Sequence, residues 1–383
     1  MPQKTVRFGV IGAGLMSREF ASAAARWCHL VDFPVRPEIV AVASRTQKSA
    51  KWFADNVPSV KQTTTDYREL LANPDVEAVY AAVPHDLHEE LYVAALSAGK
   101  HLLGEKPFGI DLAANTRISE TVAAHPDLFV RCVTQLAYYP GALRILEWAR
   151  KKRFGKIIEV EAGFWHSSDL DPGKPINWKR RLATNGEYGC MGDLGMHVLF
   201  LPLRLGWRPR NVRALLSNIM TERPDGEDGR VPCETWDNAI LACEAGAEDG
   251  QAFPMTVSTK RIMPGHGNTW FLRVIGTDFS AEFSTRDPKR IRFLEYEPGG
   301  EQAWATMDLA NESAYPTISG KIFEFNFSDA LMQMTAAFLD ELANRGKMTG
   351  PLGCATPEEA AASHRLFTAA LESQKTGATV EIE

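Results

Sequence analysis

The sequence predicts an α/β protein in two parts: a doubly wound parallel sheet over residues 1–135, then an α+β part over 136–383 built on a large, mostly antiparallel sheet. Three observations predict it. Strand-like and helix-like segments alternate over the first 130 residues, as a parallel sheet with crossover helices requires. A short apolar run ends in Gly12-Ala13-Gly14 where a helix should begin. From about Phe129 onward the pattern changes to period two, which suits antiparallel strands with one solvated face.

Residues 6–11 form the first expected strand. The helix after it places Phe20, Ala23, Ala24, Trp27 and Cys28 at the 3–4 spacing of one buried face. Next come a strand at 39–43, a helix starting at 48–53, a strand at 76–83, a helix at 88–98 closed by Gly99, and a strand at 101–104. In the second part Ile158, Val160, Ala162 and Phe164 face one way, and Glu159 and Glu161 the other. Further strands are expected at 211–216, 236–243, 255–260, 270–275 and 291–296. A helix at 329–342 carries Leu331, Met334, Phe338 and Leu342 in register. The last helix, 357–374, opens on the capping-box pattern Thr356-Pro357-Glu358-Glu359 and stops at Gly377. Residues 380–382 suit an edge strand, and the late helices have room to pack back on the first part.

Composition narrows the function. With 42 Lys plus Arg against 48 Asp plus Glu, the net charge of -6 lacks the basic footprint that nucleic-acid binding needs. The longest apolar runs, such as 198–203, fall far short of the roughly 20 residues of a bilayer span. The start at Met1 runs straight into the first strand without a secretory pattern, which reads as cytoplasmic. Six scattered cysteines suggest neither a disulfide framework nor a zinc knuckle, and are expected reduced and mostly buried.

Gly12-Ala13-Gly14-Leu15-Met16-Ser17 sits where a strand turns into a helix. Glycines there permit a tight turn and close approach of a pyrophosphate to the helix N-terminus. Ser17 replaces the third glycine of this pattern; it is small enough for helix–strand packing, and its hydroxyl can donate to phosphate. At the end of the second expected strand stand Ser44 and Arg45, with Lys48 one turn on, and no carboxylate to hold a ribose. A guanidinium in that place favours the 2′-phosphate of NADP over NAD. The competing reading is a surface arginine with NAD bound.

Lys106, in Glu105-Lys106-Pro107, would stand at the carboxyl edge of the 101–104 strand, where ligands of open α/β sheets collect. A solvated Lys–Glu neighbour pair is the plainer reading. Asp193 and His197 lie four apart, so on one face of a helix, where the imidazole suits proton exchange and the carboxylate can orient it. A helix cap and a satisfied core histidine explain the same two residues equally well. His166, Trp178, Lys179 and Arg180 offer an aromatic and basic wall for a polar substrate, with core packing as the alternative. His85, His88 and His101 lack the spacing of a metal site, and no metal is expected.

Four stretches together resemble the glucose-fructose oxidoreductase, inositol dehydrogenase and rhizopine-catabolism family, Gfo/Idh/MocA: 8–17, 79–88, 94–107 and 192–197. The resemblance implies an N-terminal Rossmann domain and a C-terminal domain whose open sheet often mediates oligomerisation, hence a homodimer or homotetramer. It implies NAD(P)-dependent oxidation or reduction of a sugar, polyol, inositol or related derivative. Carried over by position, Lys106, Asp193 and His197 become catalytic, and the bond before Pro107 becomes a candidate cis peptide. The cofactor contacts become Gly12, Gly14, Leu15, Met16, Ser44, Arg45, Lys48, Pro84, His85, His88, Glu105 and Lys106. Two departures stand out: His85 where the family usually has Asn, and 188–191 in place of a double glycine before Asp193. The family also admits an NAD-dependent glycosidase working by transient oxidation and elimination, and a non-catalytic cofactor-sensing regulator. Retention of Lys106, Asp193 and His197 together speaks against the last.

Overall fold

The computed structural model describes residues 3–382. The chain divides into two compact units: residues up to 109, 113–138 and 311–360 make the first, and 110–112, 139–310 and the remainder from 361 make the second.

The first unit is built on a six-stranded sheet of β1 (Lys4–Ile11), β2 (Val35–Ala43), β3 (Gln62–Thr64), β4 (Ala78–Ala81), β5 (His101–Gly104) and β6 (Val130–Cys132), in the order β3-β2-β1-β4-β5-β6. All neighbours are parallel. The helices are α1 (Leu15–Ala25), α2 (Gln47–Asn56), α3 (Tyr67–Leu71), α4 (His88–Ser97) and α5 (Leu112–Ala124). Central strands covered on both faces read as unbroken apolar runs, and accordingly all four residues of β4 are buried. Phe20 on α1 stacks on Tyr80 of β4 with centroids 4.4 Å apart and meets Phe8 of β1 edge-on at 5.1 Å. The expected helical face through Cys28 is corrected. α1 ends at Ala25 and a 3-10 turn follows over Trp27–His29. Trp27 stays inside, donating from Nε1 to the Val35 carbonyl at 2.8 Å, while Cys28 is exposed.

The second unit contains α6 (Pro140–Arg150), β7 (Ile157–Trp165), α7 (Leu182–Asn185), α8 (Cys190–Arg204), β8 (Arg208–Pro209), β9 (Asn211–Ser217), β10 (Glu222–Pro224), β11 (Arg230–Pro232), β12 (Asn238–Gly246), β13 (Ala252–Lys260), β14 (Thr269–Gly276), β15 (Phe279–Ser284), β16 (Arg290–Glu295) and β17 (Ala305–Asp308). Its large sheet runs β17-β16-β15-β14-β7-β13-β12-β9, closed at the far edge by β18 (Val380–Glu381), and β8 pairs beside β12. Its pairs are antiparallel except β7 with β13. α8 lies across β7 and β13 and is buried from Cys190 through Leu203, which its nearly all-round apolar sequence requires. Gly195 is what lets it seat: a Cβ there would come within 2.6 Å of the Phe367 ring.

The early part of the first unit ends at Tyr138, and the chain returns to that unit at residue 311. There α9 (Phe327–Ala343) packs on α1 and β2. Its Phe338 ring lies 6.0 Å from Phe8 and 5.3 Å from Phe129. α10 (Pro357–Thr376) opens on the capping box read from sequence: the Thr356 N–H donates to the Glu359 carboxylate at 2.9 Å and the Glu359 N–H to Thr356 Oγ1 at 3.3 Å. Among the described residues no helix is long and apolar enough to cross a membrane.

Candidate active site

In a doubly wound sheet, ligands collect at the carboxyl ends of the strands where the strand order reverses, here between β1 and β4. Gly12 follows β1 directly. Its φ of +92° and the 2.2 Å that would separate a Cβ from the Ala82 carbonyl oxygen admit only glycine. Its N–H donates to the Ala43 carbonyl at 2.8 Å, tying the turn to the end of β2. Gly14 caps α1 with nothing within 4 Å of where a Cβ would stand. The first bond along the helix is from the Arg18 N–H to the Gly14 carbonyl, so the N–H groups of Leu15, Met16 and Ser17 head an open cradle at the positive end of the helix dipole. That cradle fits a dinucleotide pyrophosphate. Ser17 is completely buried and its hydroxyl finds no hydrogen-bond partner among the described residues.

Ser44 follows β2, with Arg45 and Lys48 exposed just beyond it. The Thr46 side chain caps α2, accepting from the Ser49 N–H at 3.3 Å. A cavity of about 1050 Å³ lined by Trp27, Phe33 and Trp52 also opens in this unit. It lies beside the amino end of β2, away from the carboxyl edge.

Lys106 follows β5 on the same carboxyl edge, half-buried between fully buried neighbours, and its bond to Pro107 is cis. The turn is held at each step. The Glu105 N–H donates to the Ala81 carbonyl at 3.1 Å. Tyr80 Oη donates to Glu105 Oε1 and Tyr92 Oη to the Glu105 carbonyl, both at 2.8 Å. Asn115 Nδ2 donates to the Phe108 carbonyl at 2.9 Å. Phe108 and Gly109 both carry positive φ, 71° and 128°.

Three residues expected as cofactor contacts have buried side chains. Glu105 turns its carboxylate inward to Tyr80. His88 is fully buried, between the Val83 carbonyl and the Gly109 N–H. His85 is 1% exposed with its ring 5.4 Å from that of His88. Pro84 remains on the accessible side.

In the second unit Asp193 and His197 share α8, both buried. Asp193 joins a lysine and an arginine. Its carboxylate accepts from Lys179 Nζ at 2.9 and 3.1 Å and from the Arg261 guanidinium. Arg261, just past β13, also donates from Nε to Asp169 at 2.9 Å and from Nη2 to Ser168 Oγ at 2.9 Å. Lys174 Nζ completes the chain on Asp169 at 3.0 Å. Burial by itself would raise the Asp169 carboxyl, but the Arg261 charge and then Lys174 outweigh it and hold the group far below the usual carboxylate range. Two carboxylates thus alternate with three cations, and only the lysines reach toward solvent.

His197 meets the Phe164 ring edge-on at 5.6 Å, and its carbonyl accepts from Trp270 Nε1 at 2.9 Å. His166, also against Phe164, has its pKa pushed down to about 4, first by burial and then by the Arg261 charge. It is therefore a neutral, weak base near neutrality. Arg180, expected at the substrate, is wholly buried: it pairs with Asp237 at 3.3 Å and donates to Asn218 and to the Met220 carbonyl. Trp178 and Lys179 stay half-buried, with the ammonium 5.4 Å from the indole centroid. Arg261 and Asp169 were missed from sequence. The signal was Lys260-Arg261 closing a strand, readable only once β13 is known to pair with β7, which carries Trp165 opposite Lys260.

A family profile described as oxidoreductase family, NAD-binding Rossmann fold, matches residues 6–131. Levoglucosan dehydrogenase of Pseudarthrobacter phenanthrenivorans is 26% identical over 311 residues, 76% of this chain and 77% of that protein. The trans-1,2-dihydrobenzene-1,2-diol dehydrogenase of Bos taurus is 30% identical over 243 residues, 60% of this chain and 68% of its own. The solved structure of levoglucosan dehydrogenase in complex with NADH and L-sorbose superposes over the whole of both chains with a TM-score of 0.89 at 20% identity, a likeness of fold. With the glycine cradle and the Glu105-Lys106-Pro107 turn on one carboxyl edge, the profile match and the bovine relative place the chain: it belongs to the Gfo/Idh/MocA family of Rossmann-fold, NAD(P)-binding oxidoreductases.

Proposed function

We propose that the protein oxidises a ring hydroxyl of a sugar, anhydrosugar, polyol or cyclic diol with NADP. The observation that carries this reading is the placement of Lys106 on the carboxyl edge that also holds the Gly12 cradle, on a turn fixed at Glu105, Phe108 and Gly109. The dinucleotide, when bound, supplies the hydride acceptor. Lys106 holds and polarises the reacting oxygen, and His197 takes the hydroxyl proton. Asp193, paired with two cations, fixes Lys179 as a donor toward the remaining hydroxyls. His166, held neutral, serves as a hydrogen-bonding group rather than a base near neutrality. Activity with levoglucosan, pentoses, inositols and cyclic trans-diols, followed by nicotinamide reduction, tests the reading. Sugar release without net reduction would point instead to oxidative elimination.

The solved relative carries NADH. NADP preference is proposed for this chain because Arg45, with Lys48 beyond, stands exposed after Ser44 at the end of β2, where a ribose-binding carboxylate would be. Arg45→Ala is expected to weaken NADP by about tenfold or more while leaving NAD within a few-fold, the scale of one charge-assisted phosphate contact. Equal Kd values for the two dinucleotides in the parent protein would remove the proposal.

We further propose a homo-oligomer through the face of the large sheet away from α8. Leu215 and Ile240, cross-strand partners there, are 62% and 38% exposed. Beside them Glu161, Arg273, Glu282 and Arg292 alternate in sign across four strands, a pattern a second copy can match about a twofold axis. A light-scattering mass equal to one chain would overturn it.

A further inference from the structure

His88 stands at the start of α4, where the sequence pointed to a cofactor contact, yet its side chain is 0% exposed. The Gly109 N–H donates to its Nδ1 at 3.3 Å. Nδ1 is therefore unprotonated, and Nε2 carries the proton, which it donates to the Val83 carbonyl at 3.2 Å. This fixes both tautomer and charge: the imidazole is neutral. The ring also stacks on Tyr92 at 4.9 Å and 21°, and Tyr92 Oη donates to the Glu105 carbonyl at 2.8 Å. One side chain thus ties two loops of the carboxyl edge. Val83 directly precedes Pro84, on the loop after β4, and Gly109 closes the turn that carries Lys106. Gly109 has little freedom to compensate, with φ at 128° and a Cβ position 2.8 Å from the Asn115 nitrogen.

We propose that His88 is a positioning residue for Lys106, holding the Lys106 turn against the Val83-Pro84 loop through one accepted and one donated hydrogen bond. The inference rests on the reading that Lys106 acts on the substrate oxygen. It explains why a histidine, and not an apolar residue of like size, occupies this buried place: leucine fills the volume but leaves both the Gly109 N–H and the Val83 carbonyl without this partner. Glutamine carries a donor and an acceptor at about the spacing of the imidazole nitrogens and can restore both.

The test uses His88→Leu and His88→Gln in the full chain, read by dinucleotide Kd, kcat and amide exchange of the 105–110 segment, with Lys106→Met measured alongside. His88→Leu is expected to bind dinucleotide within about threefold of the parent, to lose about tenfold or more in kcat, and to exchange the Gly109 amide faster. His88→Gln is expected to recover most of both losses. Unchanged kcat in His88→Leu, or equal losses in the two variants, overturns the proposal. So does a preserved kcat with dinucleotide binding weakened about tenfold, which would return His88 to direct cofactor contact. Should His88→Leu fail to fold, His88→Gln decides: kcat within about threefold and parent-like exchange support the proposal, and kcat about tenfold lower with unchanged exchange overturns it. Near-normal turnover in Lys106→Met would instead remove the underlying reading of Lys106, whatever the His88 variants do.

Discussion

Lys106→Met is expected to lower turnover by a factor of about 10² or more while leaving dinucleotide affinity within a few-fold, the scale of a removed polarising or proton-transferring group. Methionine keeps the length and the apolar stem of lysine, so the change removes the charge and little packing. The turn is held by Tyr80, Tyr92, His88 and Asn115 through atoms of Glu105, Phe108 and Gly109. The pyrophosphate cradle at Gly12 is built by another turn, so binding and chemistry separate. Steady-state kcat and dinucleotide Kd on the same preparation check this. Turnover near the parent value would make Lys106 a surface lysine.

Arg261→Met is expected to destabilise the second unit by about 3–5 kcal/mol, the usual cost of breaking a buried ion pair by removing one partner. The guanidinium joins two carboxylates that are themselves buried, Asp169 and Asp193, and methionine would leave like charges facing each other with one lysine apiece. The pH dependence carries a definite sign. In the parent, Asp169 sits below its unfolded pKa. Its stabilisation is therefore complete above the ordinary carboxylate range and is lost as pH falls through the folded value. In the variant, burial is opposed by Lys174 without the guanidinium, so the carboxyl rises from its parent value and the variant loses less stability than the parent on acidification. The gap between parent and variant should thus be widest near neutrality and narrow toward pH ~4. Urea midpoints across that range, followed by tryptophan fluorescence, measure it. A variant within about 1 kcal/mol of the parent at neutral pH would show that Arg261 adds nothing beyond a surface pair.

What could be read in the sequence was what is encoded locally. The Gly12 turn, the Lys106 turn and the Asp193–His197 helix are each announced by a motif of a few consecutive residues, and each appears where expected. Long-range pairing was not legible. Arg261 and Asp169 meet because β13 runs parallel to β7 in a sheet whose other pairs are antiparallel, a choice no local pattern announces. His88 and Arg180 illustrate the converse. A histidine at a helix start beside a ligand edge, and an arginine after Trp178-Lys179, both looked like contacts for small molecules. Tertiary packing closed over each: the His88 nitrogens meet a backbone carbonyl and a backbone amide, and Arg180 Nη2 meets the Met220 carbonyl and the buried Asp237 carboxylate.

The return of residues 311–360 to the first unit orders events during synthesis. Domains tend to fold as they emerge from the ribosome, N-terminal ones first. Here the parallel sheet emerges early but without α9, leaving uncovered the aromatic face that Phe338 closes over Phe8 and Phe129. The second unit, lacking only its last helix and edge strand, is nearly complete before that cover has been translated. The half of the molecule that is made first is therefore a discontinuous domain that cannot finish folding until about 360 residues have left the exit tunnel, and a fragment cut after Tyr138 would expose that aromatic face to aggregation.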